Sequence, residues 1–507
     1  MIYIVDFGSQ VTHLISRRFK ELGVKAKIID FENAIEVINK EKPAGIVLSG
    51  GPSSVYGKNA PKVSKEIYGF NIPILGICYG LQLTAKLLGG KVVPGKKEYG
   101  PAKIKIIKEL ELTKNLPESY TVWMSHGDEV ISLPKGFEIL GSTHDVKMAF
   151  VADLKRKIYG VQFHPEVDHT EYGNDILKNF AEICKTKTKE HVVDIRAIED
   201  EIKKIAKNKY VIGAVSGGVD STVAAVLTAK AIGKKFIPIF VDNGLMRDGT
   251  REYVEKIFKH IGIKVNIVDA EKETLIKLKG ITDPEEKRKI IGNLYIHLFE
   301  KEMKKLIKFG KDVRFLMQGT IYSDVIESKG SKNSANIKSH HNVGGLPKNM
   351  KLKLIEPMRG FYKDEVREIG RKLGLPDEFV QKQPFPGPGY AVRIRGEVTK
   401  ERLIKQRLAD KIVLEELEAA NVLRDIFQSF PVLTGAQSTA VKGDGRNFGE
   451  VIALRIIESR DIMTSTWARL PYDLLQKISS RIVNEVPDVS RVVYDITTKP
   501  PATMEWE

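Results

Sequence analysis

The chain has 507 residues, with 81 Lys+Arg against 65 Asp+Glu for a net charge of +16, 42% hydrophobic residues and two cysteines. That length exceeds one ordinary core and predicts about three domains, while the apolar content excludes wholesale disorder. No apolar run reaches the ~18 residues of a bilayer span, the start lacks the pattern of a secretory signal, and two cysteines cannot build a disulfide framework, so a soluble cytoplasmic protein without a membrane partner is expected.

The first segment, residues 1–190, alternates short β-branched runs with amphipathic stretches: IYIVDF, VTHLISRRFKELG, KAKIID, AGIVLSGGP, IPILGI and, near its end, IYGVQFHPE followed by DILKNFAEICK. Strands alternating with helices of this length predict a mostly parallel, doubly wound sheet. A lysine-rich TKTKEH then reads as a linker. Residues 191–382 repeat the α/β pattern through YVIGAVSGG, DSTVAAVLTAKAIG, FIPIFVDNG, a long charged helix from DPEEKRK onward, and VRFLMQGT. Residues 328–350 are polar, glycine-containing and aperiodic, which reads as a functional lid. PFPGPG at 384–389 marks the next boundary, and residues 383–507 read as a smaller α+β domain with helices around 400–420 and 448–459 and a strand RVVYDI.

Cys78 lies in GICYG, directly after an apolar strand and directly before a helix. Flanking glycines at such a turn lift the central side chain out of the sheet, and the helix N-terminus favours its thiolate. A thiol nucleophile needs a base and a group to orient it; His164 and Glu166 in GVQFHPEV end another strand and would emerge at the same sheet edge. Cys184 follows Ile176, Leu177, Phe180 and Ile183 at helical spacing, so it is expected in a core.

DFGSQ, LSGGP, GICYG, MSHGD and GVQFHPE, in that order, resemble the class I glutamine amidotransferase domain. The resemblance implies a triad of Cys78, His164 and Glu166 that attacks the glutamine side-chain amide, passes through a thioester and releases ammonia. It also implies an oxyanion and glutamine site made of Gly50, Gly51, Tyr79, Gln82, Ser125 and His126.

SGGVDS, from Ser216 through Gly217, Gly218, Val219 and Asp220 to Ser221, follows a strand and opens a helix. Its glycines, successive N–H groups and the hydroxyls of Ser216, Ser221 and Thr222 suit an anion, and Asp220 suits a Mg²⁺ between carboxylate and phosphate. The hexapeptide resembles the PP-loop of the ATP pyrophosphatases, which cleave ATP between the α and β phosphates. Val241, Asp242 and Gly244 in VDNG match that family's adenine and ribose contacts, and Gly319 and Thr320 belong to the same strand edge.

QGTIYSDVIES, IKSHHNVGGLP, QPFPGPG and the terminal KPPATMEWE resemble the GMP synthetase family along the whole chain. That resemblance implies ATP, glutamine and xanthosine 5′-monophosphate (XMP) as substrates, Mg²⁺ as cofactor, and a C-terminal domain that dimerises. XMP-binding or lid positions would be Lys338, His340, His341, Pro386, Gly387, Lys499 and Glu505. Arg446 in GDGRN is a candidate for the nucleotide phosphate, because a guanidinium fork suits phosphate oxygens.

Glutamine-dependent NAD synthetases and tRNA-thiolating PP-loop enzymes compete with this reading, as does a basic nucleic-acid-binding protein. The charge excess, +5 over residues 1–190, +11 over 191–382 and 0 over 383–507, favours a small polyanion over a nucleic-acid partner. It peaks around the PP-loop and the lid, where Lys329, Lys332, Lys338, Lys348, Lys351 and Lys353 occur with no acidic residue between Glu327 and Glu356.

Overall fold

The computed structural model describes residues 1–186, 193–322, 324–325, 352–442, 445–459 and 464–507. Most of the TKTKEH stretch and the whole expected lid, with Lys338, His340 and His341, lie outside them. The described residues build three sheets in sequence order.

The first sheet has nine strands: β1 (Ile2–Asp6), β2 (Ala26–Asp30), β3 (Gly45–Leu48), β4 (Ile74–Ile77), β5 (Lys91–Ile106), β6 (Ser119–Ser132), β7 (Glu138–Ser142), β8 (Phe150–Asp153) and β9 (Ile158–Val161). Their order is β2-β1-β3-β4-β9-β8-β7-β5-β6. The half from β2 to β9 is parallel, as expected, and β8, β7, β5 and β6 extend it antiparallel. Alternate residues feed two cores: Ile2, Ile4, Val47, Leu75 and Ile77 on one face, Tyr3, Val5, Ile46, Leu48 and Ile74 on the other. This is the period-2 geometry of a strand buried on both sides. Helices α1 (Thr12–Glu21), α2 (Ala34–Glu41), α3 (Tyr79–Leu87) and α4 (Gly173–Ile183) cover it. Cys184 is buried, and a Cβ added to Gly45 would lie 2.2 Å from its sulfur, so it fills the core as expected.

The second sheet is wholly parallel, ordered β12-β11-β10-β13-β14, from β10 (Tyr210–Val215), β11 (Phe236–Asp242), β12 (Asn266–Asp269), β13 (Val313–Met317) and β14 (Lys353–Ile355). Around it run α5 (Ile195–Ala206), α6 (Val219–Ile232), α7 (Thr250–His260), α8 (Glu271–Leu278) and α9 (Pro284–Lys308), then the helix Lys363–Lys372. The long helix begins where its sequence directs: the Asp283 carboxylate accepts from Glu286 N–H, Pro284 sits in the first turn, and Glu285 and Glu286 face the positive helix end. Sheet order reverses at β10, between β11 and β13, which opens a crevice at its carboxyl end.

The third sheet comprises β15 (Gln428–Lys442), β16 (Gly445–Glu458), β17 (Thr466–Trp467) and β18 (Val489–Tyr494), packed on helices Lys400–Ala419 and Tyr472–Glu485. β15 and β17 run antiparallel to β16, and β18 runs parallel to it. The helix expected around 448–459 is therefore strand β16. Its run VIALRII is nearly continuously buried, and a short apolar run flanked by turns does not by itself separate a central strand from a buried helix. Pairing with β15 along a long hairpin decides it. Among the described residues no helix is long and apolar enough to cross a membrane.

Candidate functional site

β4 and β9 are parallel neighbours with Ile77 opposite Val161, so Cys78 and His164 both leave the sheet at its carboxyl edge. The Cys78 N–H still bonds Val161 O at 2.7 Å, after which the chain turns into α3 with Cys78 at φ 52° and ψ −105°. That conformation disfavours any residue with a Cβ. The flanking glycines permit it by close approach: a Cβ on Gly76 would fall 2.8 Å from the Gly80 carbonyl, and one on Gly80 would fall 2.2 Å from Leu48 O.

His164 Nδ1 donates to Glu166 Oε1 at 2.7 Å, and the Cys78 sulfur is its other hydrogen-bond partner. Both imidazole and carboxylate are buried. Burial opposes the imidazolium, but the Glu166 charge and the bonds to Cys78 and Glu166 outweigh it, and the His164 pKa stands well above its ordinary value. Thr170 Oγ donates to His164 O at 2.6 Å and Arg18 Nε to Glu166 O at 2.9 Å, which fixes the loop carrying both side chains.

Gly50 and Gly51 pack closely beside the pair: a Cβ on Gly50 would press to 3.1 Å from His164 Cε1, and one on Gly51 to 3.0 Å from Phe7 O. Tyr79 opens α3, so its N–H belongs to the unpaired first turn of the helix. Ser125 presents its carbonyl to the Cys78 thiol at 3.6 Å. Gln82 and His126 sit one layer back. Gln82 Nε2 donates to Asp128 O at 2.9 Å and to Gln162 Oε1 at 3.3 Å, and His126 bridges Asp128 O and Glu98 Oε2. Gln162 is a residue the motifs passed over; its Nε2 donates to the Cys78 sulfur at 3.6 Å. It stands two residues before His164 in GVQFHPE, so the strand's alternation could have pointed to it.

The second site is a cavity of about 390 Å³ at the carboxyl end of β10. Residues 216–221 line it together with Val241, Gly319, Thr320, Pro386 and Gly387. Gly319 must be glycine, since a Cβ there would lie 2.5 Å from the backbone of Ser221. Thr222 does not line the cavity: its hydroxyl donates to Gly218 O at 2.9 Å inside α6. Asp242 and Gly244 are not among the lining residues either. The Asp242 carboxylate accepts from Gly244 N–H at 3.2 Å and shapes the turn after β11.

Asp220 holds a cation already. Lys363 Nζ donates to its two carboxylate oxygens at 2.8 and 2.7 Å. Among the described residues no cluster of three or more His, Cys, Asp or Glu forms a metal cage. One carboxylate beside an anion nest fits an ion that keeps phosphate oxygens and waters as its other ligands, which is the habit of Mg²⁺.

The remaining positions separate. Glu505 accepts two parallel bonds from Arg393 at 3.0 Å each and one from Gln428 Nε2 at 2.7 Å, behind Phe385 of the PFPGPG loop. Lys499 is nearly buried and its backbone pairs with Ser465. Arg446 is exposed near the tip of the β15–β16 hairpin and does not line the cavity.

Three family models match the chain in order: the class I glutamine amidotransferase over residues 3–184, NAD synthase over 191–322 and the GMP synthase C-terminal domain over 415–506. Glutamine-hydrolysing GMP synthases from Aquifex aeolicus and Staphylococcus epidermidis are each 51% identical to it, the alignments covering 100% of this chain and 99% and 98% of those proteins. The chain belongs to the glutamine-hydrolysing GMP synthases. As a member of that family it is an ATP-using ligase, and the NAD synthase match falls on the PP-loop unit. A solved GMP synthase subunit from Thermoplasma acidophilum is 39% identical, covering 36% of this chain and 93% of its own, with a TM-score of 0.32.

Proposed function

We propose that two half-reactions run at the two sheet edges described above. At the first, His164, oriented by Glu166, takes the Cys78 proton, and the thiolate attacks the glutamine amide carbon. The N–H groups of Gly51 and Tyr79 hold the oxyanion, His164 returns the proton to the departing ammonia, and water then releases glutamate from the thioester. Ser125 and Gly50 bound the glutamine pocket, while Gln82 and His126 hold its wall through Asp128.

At the second, ATP lies with its pyrophosphate on residues 216–221 and its nucleoside toward Val241 and the turn shaped by Asp242 and Gly244. The C2 carbonyl oxygen of XMP attacks the α phosphorus, pyrophosphate leaves, and ammonia displaces AMP to give GMP. Asp220 would hold the Mg²⁺ that accompanies ATP, exchanging Lys363 for it; the metal supplies charge neutralisation on the phosphates. Lys499, Glu505, Pro386, Gly387 and, from the lid, Lys338, His340 and His341 would enclose XMP, with Arg446 reaching its phosphate from the hairpin. The enzyme works as a cytoplasmic homodimer through its third domain.

The observation that carries this reading is the Cys78 elbow facing the 2.7 Å His164–Glu166 pair in one chain with a PP-loop cavity. The test is ATP-dependent pyrophosphate release with candidate acceptors. XMP should stimulate it; stimulation by tRNA or deamido-NAD in place of XMP would refute the assignment.

A further inference from the structure

Among the described residues, one cation lining the PP-loop cavity has neither a task in the two half-reactions nor an ion-pair partner. Lys382, the residue before QPFPGPG, lines the cavity, and its Nζ stands 4.4 Å from the ring centroid of Tyr253 on α7. Tyr253 is itself stacked on Phe379 at 5.8 Å. The same helix braces the anion loop: a Cβ on Gly217 would lie 2.9 Å from Val254 Cγ2 and 3.2 Å from Thr250 Cγ2. The ammonium is thus mounted on the element that packs against the PP-loop.

The other cations lining the cavity are committed. Lys363 holds both oxygens of Asp220, Arg247 grips Asp410 at 2.6 and 3.2 Å, and Arg288 bonds Glu285 at 2.7 Å. Among the described residues Lys382 has no carboxylate partner, only the Tyr253 face. An unpaired ammonium held away from bulk water is costly unless an anion arrives to meet it.

We propose that Lys382 binds the pyrophosphate end of ATP and stabilises the charge that builds on it as the bond from the α phosphorus to the bridging oxygen breaks. The electron pair of that bond leaves with pyrophosphate; the new bond forms between the α phosphorus and the XMP carbonyl oxygen. Lys382 donates hydrogen bonds and transfers no proton, so only its charged form serves. This deepens the adenylation reading above and rests on it.

Burial, then the nearby Arg247 charge, brings the Lys382 pKa down to about 8. The other groups around it are Tyr253 beneath it, Glu378, which faces Tyr253, and the Asp220–Lys363 pair on the PP-loop side of the cavity. Burial and the Glu378 charge hold the Tyr253 pKa above its ordinary value, so the ring stays neutral across the range in which Lys382 titrates.

The test is XMP-dependent exchange of labelled pyrophosphate into ATP by the full-length enzyme without an ammonia source, read as the second-order rate constant for ATP, which reports ionisations of the free enzyme. Wild type should lose exchange as the pH rises through about 8. Lys382→Arg, whose guanidinium stays charged, should hold its rate to higher pH. Lys382→Met should lower exchange on the order of 100-fold, as removal of one strong anion donor does. A Met variant within threefold of wild type, or an Arg variant that loses exchange at the wild-type pH, overturns the proposal. Wild type with no XMP-dependent exchange at any pH overturns the adenylation reading and this inference together.

Discussion

Replacing Cys78 by glycine should stabilise the amidotransferase unit relative to replacing it by alanine, the reverse of the usual order. Both variants lose the sulfur, so their difference isolates the Cβ. At φ 52° and ψ −105° a Cβ costs roughly 1–3 kcal/mol, whereas glycine gives up only about 0.5–1 kcal/mol of chain entropy relative to alanine. The mid-range values favour glycine by about 1 kcal/mol. A melt of the whole multidomain chain would not isolate this quantity. Hydrogen exchange on peptides spanning β4 and β9 does, because those strands carry the Cys78 N–H to Val161 O bond. Exchange there should be about fivefold slower in Cys78→Gly than in Cys78→Ala. Equal rates, or faster exchange in the glycine variant, would show that the elbow is not strained and that the Cys78 side chain is not positioned at the expense of stability.

Cys78→Ala should abolish GMP formation from glutamine while synthesis from added ammonium salts persists; unchanged glutamine use would remove Cys78 as nucleophile. The raised His164 pKa contributes stability that is fully present below the unfolded value of about 6.5 and is lost as pH rises through the folded value. Glu166→Gln removes the principal raising charge, so the exchange difference between wild type and this variant in β9 peptides should be largest near pH 6 and shrink toward alkaline pH; a gap that widens with pH would contradict the assignment. Arg17→Ala removes an ion pair to Asp364 at 2.6 Å and a cation–π contact with Tyr362 at 4.2 Å, about 1–2 kcal/mol together. Hydrogen exchange in the first turns of the helix Lys363–Lys372 should rise about 5–30-fold, and unchanged exchange there would show that Arg17 does not hold that helix end.

The juxtaposition of Cys78, His164 and Glu166 was legible because each sits at a strand end within a few residues of a strong local signal: glycines around Cys78, an apolar strand before His164. The PP-loop was legible for the same reason, since an anion nest is built from consecutive backbone groups. The residues that face those motifs from elsewhere were not. Lys363 reaches Asp220 across 143 positions and Arg18 reaches the Glu166 carbonyl across 148, separations that periodicity and spacing do not encode. Thr222 shows the converse limit: its place in the hexapeptide's context suggested an anion donor, but one position along α6 turns its hydroxyl back to Gly218 O. β16 was misread because burial on both faces erases the alternation that distinguishes a strand.

One element joins what the motifs kept apart. On α1, Arg18 donates to the Glu166 carbonyl behind the triad, while the adjacent Arg17 binds Asp364 and lies over Tyr362. Lys20, one turn from Arg17, pairs with Glu365 at 3.0 Å, and His13 meets the Tyr322 hydroxyl at 2.9 Å. Asp364 and Glu365 occupy the first turn of the helix that also carries Lys363, the partner of Asp220 in the PP-loop. Adjacent residues on a helix point about 100° apart, so α1 turns Arg18 inward to the Glu166 carbonyl and Arg17 across the interface to Asp364. A shift of the PP-loop large enough to release Lys363 from Asp220 therefore acts on the helix end that Arg17 and Lys20 hold. Beyond that end the contacts continue into α1, whose Arg18 holds the Glu166 carbonyl.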